Sequence, residues 1–135
     1  MGTYFLIDTN VGIDFLNGKL PAIGATWVQR LLDEQRLVTS VVVRIELLSW
    51  PGSPADMQPI EELIAATLIL PLDEPVIQQT IALRQQRRIK LPDAIIAATA
   101  LAHSLPLLTR NVSDFQRLAG LVIIDPHDPA QLPAS

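Results

Sequence analysis

Tyr4-Phe5-Leu6-Ile7-Asp8-Thr9-Asn10-Val11 is the stretch that decides the fold. Residues 4–7 are apolar without alternation, the pattern of a short strand buried on both faces of a parallel sheet. Asp8, Thr9 and Asn10 then offer cap residues for a helix over 11–16, and Gly18 stops it. A strand that runs straight into a helix is half of a βαβ unit. The same pattern returns along the chain, predicting strands at 37–39, 68–70, 107–109 and 121–124. Helices are predicted at 22–35, 41–49, 59–67, 74–88, 92–104 and 113–118.

Segment 41–49 reads two ways. Val41-Val42-Val43 favours a strand, whereas Glu46-Leu47-Leu48 favours a helix. A strand there would follow its predecessor without a turn, so a helix capped by Ser40 is expected. Pro51-Gly52-Ser53-Pro54 reads as a loop, and the proline-rich tail after Asp125 as irregular. Alternating strands and helices imply an α/β fold. It has a central, mostly parallel sheet of about five strands with helices on both faces.

A chain of 135 residues, 49% apolar, is expected to form one domain over residues 1–135. The net charge of −4 argues against holding nucleic acid by overall charge. A local basic cluster at Arg84, Arg87, Arg88 and Lys90 remains available. The absence of cysteine excludes disulfides, thiolate zinc sites and cysteine nucleophiles. No glycine-rich phosphate loop occurs, and no serine has a histidine partner in a recognisable motif. No secretory signal opens the chain, and the apolar stretch 94–108 is broken by Thr99, His103, Ser104 and Pro106. A cytoplasmic protein with no membrane association is expected.

Four carboxylates carry the functional argument: Asp8, Glu46, Asp93 and Asp114. Asp8 ends the first apolar run, and Glu46 interrupts another. Asp93 opens Ala94-Ile95-Ile96-Ala97-Ala98, and Asp114 follows Leu107-Leu108-Thr109 by a turn. Acidic groups are seldom buried unless paired or bound to a cation. In a parallel sheet, positions following the strands gather at one edge, where ligands bind. Converging carboxylates repel until a proton or a divalent cation neutralises them. All-oxygen ligands suit Mg²⁺ or Mn²⁺, and the chemistry such ions favour is phosphodiester hydrolysis. Taken singly, each acid also has a plain reading. Asp8 and Asp93 suit caps or first turns, Asp114 suits a turn, and Glu46 suits an arginine partner.

Local patterns extend the reading. Phe5-Leu6-Ile7-Asp8-Thr9-Asn10-Val11 resembles the opening of PIN-domain ribonucleases. Ser40-Val41-Val42-Val43-Arg44-Ile45-Glu46-Leu47 is similar to their second acidic motif. Leu91-Pro92-Asp93-Ala94-Ile95-Ile96-Ala97-Ala98-Thr99-Ala100 is similar to the third, and Leu108-Thr109-Arg110-Asn111-Val112-Ser113-Asp114-Phe115 to the fourth. The order and the small size resemble VapC-type toxins of toxin–antitoxin pairs. The resemblance implies a Mg²⁺- or Mn²⁺-dependent endoribonuclease with Asp8, Glu46, Asp93 and Asp114 around the metal. Thr9, Thr109 and Asn111 would orient those acids or a metal-held water. It also implies a homodimer and a cognate antitoxin that blocks the site. The loop from Trp50 to Asp56 has no counterpart in the family pattern, so RNA target and cleavage position stay unread.

Other residues are weighed against plainer roles. Arg87 and Arg88 are candidate contacts to RNA or antitoxin, as is Arg110 between Thr109 and Asn111. His103 lies about 15 Å along its helix from Asp93, too far to share an ion. His127 is expected to be exposed, and Asp14 to face solvent or pair locally. Trp27 is expected in a helix's apolar face. A housekeeping RNA-processing nuclease of the same fold is the nearest alternative. A phospho-acceptor domain would need a lysine after the fifth strand, where Asp125-Pro126-His127 stands instead. A non-catalytic binding module is the remaining alternative.

Overall fold

The computed structural model describes residues 2–133. The chain runs β1 (Phe5–Ile7), α1 (Thr9–Leu16), α2 (Ala22–Asp33), β2 (Leu37–Ser40), α3 (Val41–Leu48), α4 (Pro54–Ala65) and β3 (Leu68–Leu70). It continues α5 (Glu74–Gln86), α6 (Leu91–Ala102), β4 (Leu107–Leu108), α7 (Val112–Phe115) and β5 (Ile123–Ile124), with a 3-10 turn at Pro129–Gln131. Every strand pairing is parallel, in the order β3-β2-β1-β4-β5. The chain builds outward from β1 in one direction, then returns to lay β4 on its other side. The β1–β4 boundary is therefore the topological switch point, where the strand ends leave a crevice.

Side chains on a strand alternate between faces, so β1 contributes to two cores. Leu6 joins Val38, Val43, Leu47, Ile96 and Leu107 under α3 to α6. Phe5 and Ile7 join Trp27, Val28, Leu31, Leu37 and Leu108 under α2. Phe5 and Trp27 meet edge to face at 5.1 Å, so Trp27 is a core residue. The most apolar helix, α6, buries Ala94 through Ala100 without a break.

The expected helix at 41–49 is present over Val41–Leu48, with Ser49 as its C-cap, and the Ser40 hydroxyl accepts from the Val43 N–H at 3.1 Å. The helix expected from residue 59 instead starts at Pro54. Ser53 and Asp56 form a reciprocal capping box there, and Pro54 takes a first-turn position where no N–H is needed. Residues 51–53 are irregular, as read, and only Pro54 of that stretch enters the helix, with Pro59, the expected start, inside it. Helix α5 ends at Gln86, and Arg87 is extended (φ −146°, ψ 156°), so Arg87 and Arg88 leave the helix. Strand β4 stops at Leu108, and β5 begins only at Ile123.

The segment after β5 is anchored. Gly24 is buried in α2, and a Cβ there would collide with the Pro126 carbonyl oxygen. No helix among the described residues is long and apolar enough to cross a membrane.

Candidate functional site

Asp8 follows β1 directly and caps α1. Its Oδ1 accepts from the Thr9 N–H at 2.8 Å, and its Oδ2 accepts from the Thr109 hydroxyl at 2.8 Å and the Asn10 amide at 3.2 Å. Thr109 follows β4, so the Thr109–Asp8 bond closes the switch point from the far strand. Each of these donors is neutral. Asp8 is 5% exposed. Burial pushes its carboxyl up to about 6; the Thr109 and Thr9 hydrogen bonds oppose that, and neighbouring Asp93 and Glu46 add to it.

Asp93 lies in the first turn of α6 and is partly buried. Its carboxyl is also raised, first by burial, then by Glu46 and Asp114, with Lys90 pulling the other way. Asp8 thus feels Asp93 and Glu46 as like charges, and Asp93 feels Glu46 and Asp114. Their burial differs from the sequence expectation, because Glu46 and Asp114 are exposed. Helix α3 buries Val43 and Leu47, which leaves Arg44, Ile45 and Glu46 outside the core. The packing argument for a cation therefore applies to Asp8 and partly to Asp93.

Hydroxyls and amides fix the outer acids. Thr9 Oγ1 donates to Glu46 Oε1 at 2.6 Å, tying α1 to α3. The Asn111 amide donates to Asp114 Oδ2 at 2.8 Å, and the Asn111 N–H donates to Thr109 Oγ1 at 3.0 Å. Thr109 is fully buried and joins Asp8 to Asn111 through one hydroxyl. Asn10, read from sequence only as a cap, also accepts from the Arg110 N–H at 3.1 Å through Oδ1. Its place two residues after Asp8 was the available signal.

The donor set can be tested against a divalent cation. No three His, Cys, Asp or Glu among the described residues are gathered tightly enough to enclose an ion. Mg²⁺ keeps several waters and is commonly held by one or two carboxylates, so a closed cage is not required. Charge and donor type fit: a buried carboxylate with only neutral donors stands beside the like charges of Asp93 and Glu46, which are themselves oxygen donors.

A cavity of about 240 Å³ adjoins these acids, lined by Asp93, Asp114 and Asn111 together with Arg87, Arg88, Lys90 and Arg117. Arg117, in the turn just after α7, was not singled out from sequence; its position three residues after Asp114 was the signal. Arg110 bonds instead to Asp14 at 2.7 Å. Asp14 is 5% exposed, which corrects the expectation of a solvent-facing or locally paired side chain. His127 is only partly exposed and sits 2.8 Å from the same Asp14 oxygen, which corrects its assignment to the surface. His103 ends α6 and is exposed. A second groove of about 290 Å³ is lined by Ile13, Leu16, Leu47, Trp50 and Ile60, with Glu46 at its wall.

Residues 5–121 match the family described as PIN domain. No curated protein matches the chain. Among solved structures, a toxin–antitoxin complex from Klebsiella pneumoniae is similar at 28% identity and a TM-score of 0.72, covering 92% of this chain and 98% of that one. VapBC-1 from nontypeable Haemophilus influenzae is similar at 27% identity and a TM-score of 0.75, covering 93% and 100%. FitAcB from Neisseria gonorrhoeae is similar at 25% identity and a TM-score of 0.68, covering 90% and 97%.

Proposed function

This chain belongs to the PIN domain family, and we propose that it is a metal-dependent endoribonuclease, the toxin of a type II toxin–antitoxin pair. One observation carries the chemistry: Asp8 is buried at the topological switch point with neutral donors only, beside Asp93 and Glu46. The carboxylates of Asp8, Glu46, Asp93 and Asp114 would hold Mg²⁺ or Mn²⁺. When bound, such an ion supplies positive charge for a phosphate oxygen and makes water a stronger nucleophile at neutral pH.

The chain's own residues do the rest. Thr9, Thr109 and Asn111 hold the acids in orientation through the hydrogen bonds described above. Asp8 is half ionised near pH 6 and gains its charge as pH rises beyond that. Arg87, Arg88, Lys90 and Arg117 line the adjoining cavity and supply the cations that an acidic protein needs for an RNA backbone. Arg110 is a further candidate contact, with one guanidinium nitrogen committed to Asp14. Water then displaces a ribose oxygen from phosphorus, and the backbone is cut.

The toxin reading is supported by likeness to the Klebsiella toxin–antitoxin complex and the Haemophilus VapBC-1 structure. The apolar groove beside Glu46, with Trp50 58% exposed, is a surface that an antitoxin segment would cover. A homodimer, a cytoplasmic location and a single domain over residues 1–135 belong to the same proposal. A housekeeping nuclease would need no such inhibitor.

The test is cleavage of a mixed RNA pool by the purified chain with Mn²⁺ or Mg²⁺, with EDTA, and by Asp93→Asn. Discrete cuts that need metal and vanish in the variant are expected. Cuts that persist in EDTA or in Asp93→Asn would sink the assignment.

A further inference from the structure

A second buried carboxylate on α1 stands outside the acid group. Asp14 Oδ2 accepts from Arg110 Nη1 at 2.7 Å and lies 2.8 Å from His127 Nε2. His127 Nδ1 lies 2.7 Å from Asp125 Oδ1, and the His127 N–H donates to that oxygen at 2.9 Å. One carboxylate oxygen therefore joins three segments: α1, the loop after β4, and the chain beyond β5.

The loop it grips carries the site. Arg110 stands between Thr109, which donates to Asp8, and Asn111, which donates to Asp114. The Arg110 N–H is also fixed by Asn10, itself bonded to Asp8. The loop is thus held by its main chain on one side and by its arginine side chain on the other. Burying Asp14 requires a charged partner, and that partner comes from this loop.

We infer that Asp14 is a positioning residue. Through Arg110, and with His127 sharing the same carboxylate oxygen, it sets residues 109–111 so that Thr109 and Asn111 orient Asp8 and Asp114. This rests on the reading of those acids as a cation site. Two rival roles give different results. Arg110 could be neutralised by Asp14 with no effect on the acids, or Arg110 could grip RNA directly.

The experiment is Mn²⁺ binding by calorimetry on the full chain, with cleavage of the RNA pool in parallel, for wild type, Asp14→Asn, Arg110→Ala and Arg110→Lys. Asp14→Asn and Arg110→Ala are each expected to weaken Mn²⁺ binding roughly 10-fold, as loss of ligand-orienting contacts does elsewhere. The combined variant Asp14→Asn with Arg110→Ala, measured alongside, should be no worse than either single one, and Arg110→Lys should recover part of the loss. Unchanged Mn²⁺ affinity in both single variants overturns the inference, whatever their melting temperatures. Weaker RNA binding in Arg110→Ala with unchanged Mn²⁺ affinity also overturns it, in favour of direct contact. Arg110 is more than half exposed, so Arg110→Ala keeps the test decisive if Asp14→Asn fails to fold. Wild type that takes up no Mn²⁺ removes the cation site and this inference together. Wild type that binds Mn²⁺ but cuts no RNA removes only the nuclease reading, and the Mn²⁺ comparison still decides this one.

Discussion

Asp8 and Asp14 stand near opposite ends of α1, and both are 5% exposed, yet they are treated differently. Asp14 meets a guanidinium and an imidazole within 2.8 Å. Asp8 meets a backbone N–H, a hydroxyl and an amide, and looks across at Asp93 and Glu46. One buried charge is compensated inside the fold; the other is left for something outside it. Burial alone therefore does not mark a site. Burial without a cationic partner, next to like charges, is what supports the proposed site at Asp8.

The widest separation between the two should come from substituting each. Asp8→Asn should cut the rate of RNA cleavage by about 1,000-fold under the proposed mechanism, in which the Asp8 charge would hold the cation. The same variant in EDTA should melt higher than wild type at neutral pH. Cleavage at the wild-type rate would erase the distinction.

The pH dependence sharpens it. The folded chain holds a proton on Asp8 more tightly than the unfolded chain, with a folded value of about 6 against an ordinary 3.8. That contribution to stability is fully present below about pH 4 and is lost as pH rises through about 6. In EDTA the loss should approach roughly 3 kcal/mol. Asp8→Asn should flatten this slope in chemical denaturation across that window; a variant with the wild-type slope would assign it to another group.

Asp14→Leu should act in the opposite direction. It strands the Arg110 guanidinium and the His127 ring, but Arg110 is 58% exposed and can turn to water. A loss of about 2 kcal/mol at pH 7 is expected by urea unfolding. A stabilised Asp14→Leu would place the two carboxylates in one class. Smaller still, Thr109→Val leaves Asp8 without its hydroxyl donor and the Asn111 N–H without its acceptor. About 1 kcal/mol of stability should go, and Thr109→Ser should restore most of it.

Much of this was legible in the sequence for physical reasons. Unalternating runs such as Phe5-Leu6-Ile7 mark strands buried on both faces, and the all-parallel sheet follows. Asp8, Asp93 and Thr109 announce themselves because polar groups at the ends of apolar runs need a reason. The start of α4 was obscured because Pro54 reads as part of the preceding loop, and Pro59 as the first turn, unless the Ser53–Asp56 capping box is noticed. Glu46 interrupts an apolar run yet is exposed, because a helical period hides which of its neighbours face inward. The partners of Asp14 lie 96 and 113 residues away, beyond any local pattern.

The Thr109–Asp8 bond spans 101 residues of chain. Order of synthesis therefore matters to the site. A nascent chain that has just reached Asp93 already holds three of the four acids, but it lacks β4 and the hydroxyl that orients Asp8. The Asp14 clamp waits longer still, until His127 emerges. A chain interrupted anywhere before residue 109 leaves the first carboxylate without its cross-sheet support, so the ribosome delivers the cutting edge last.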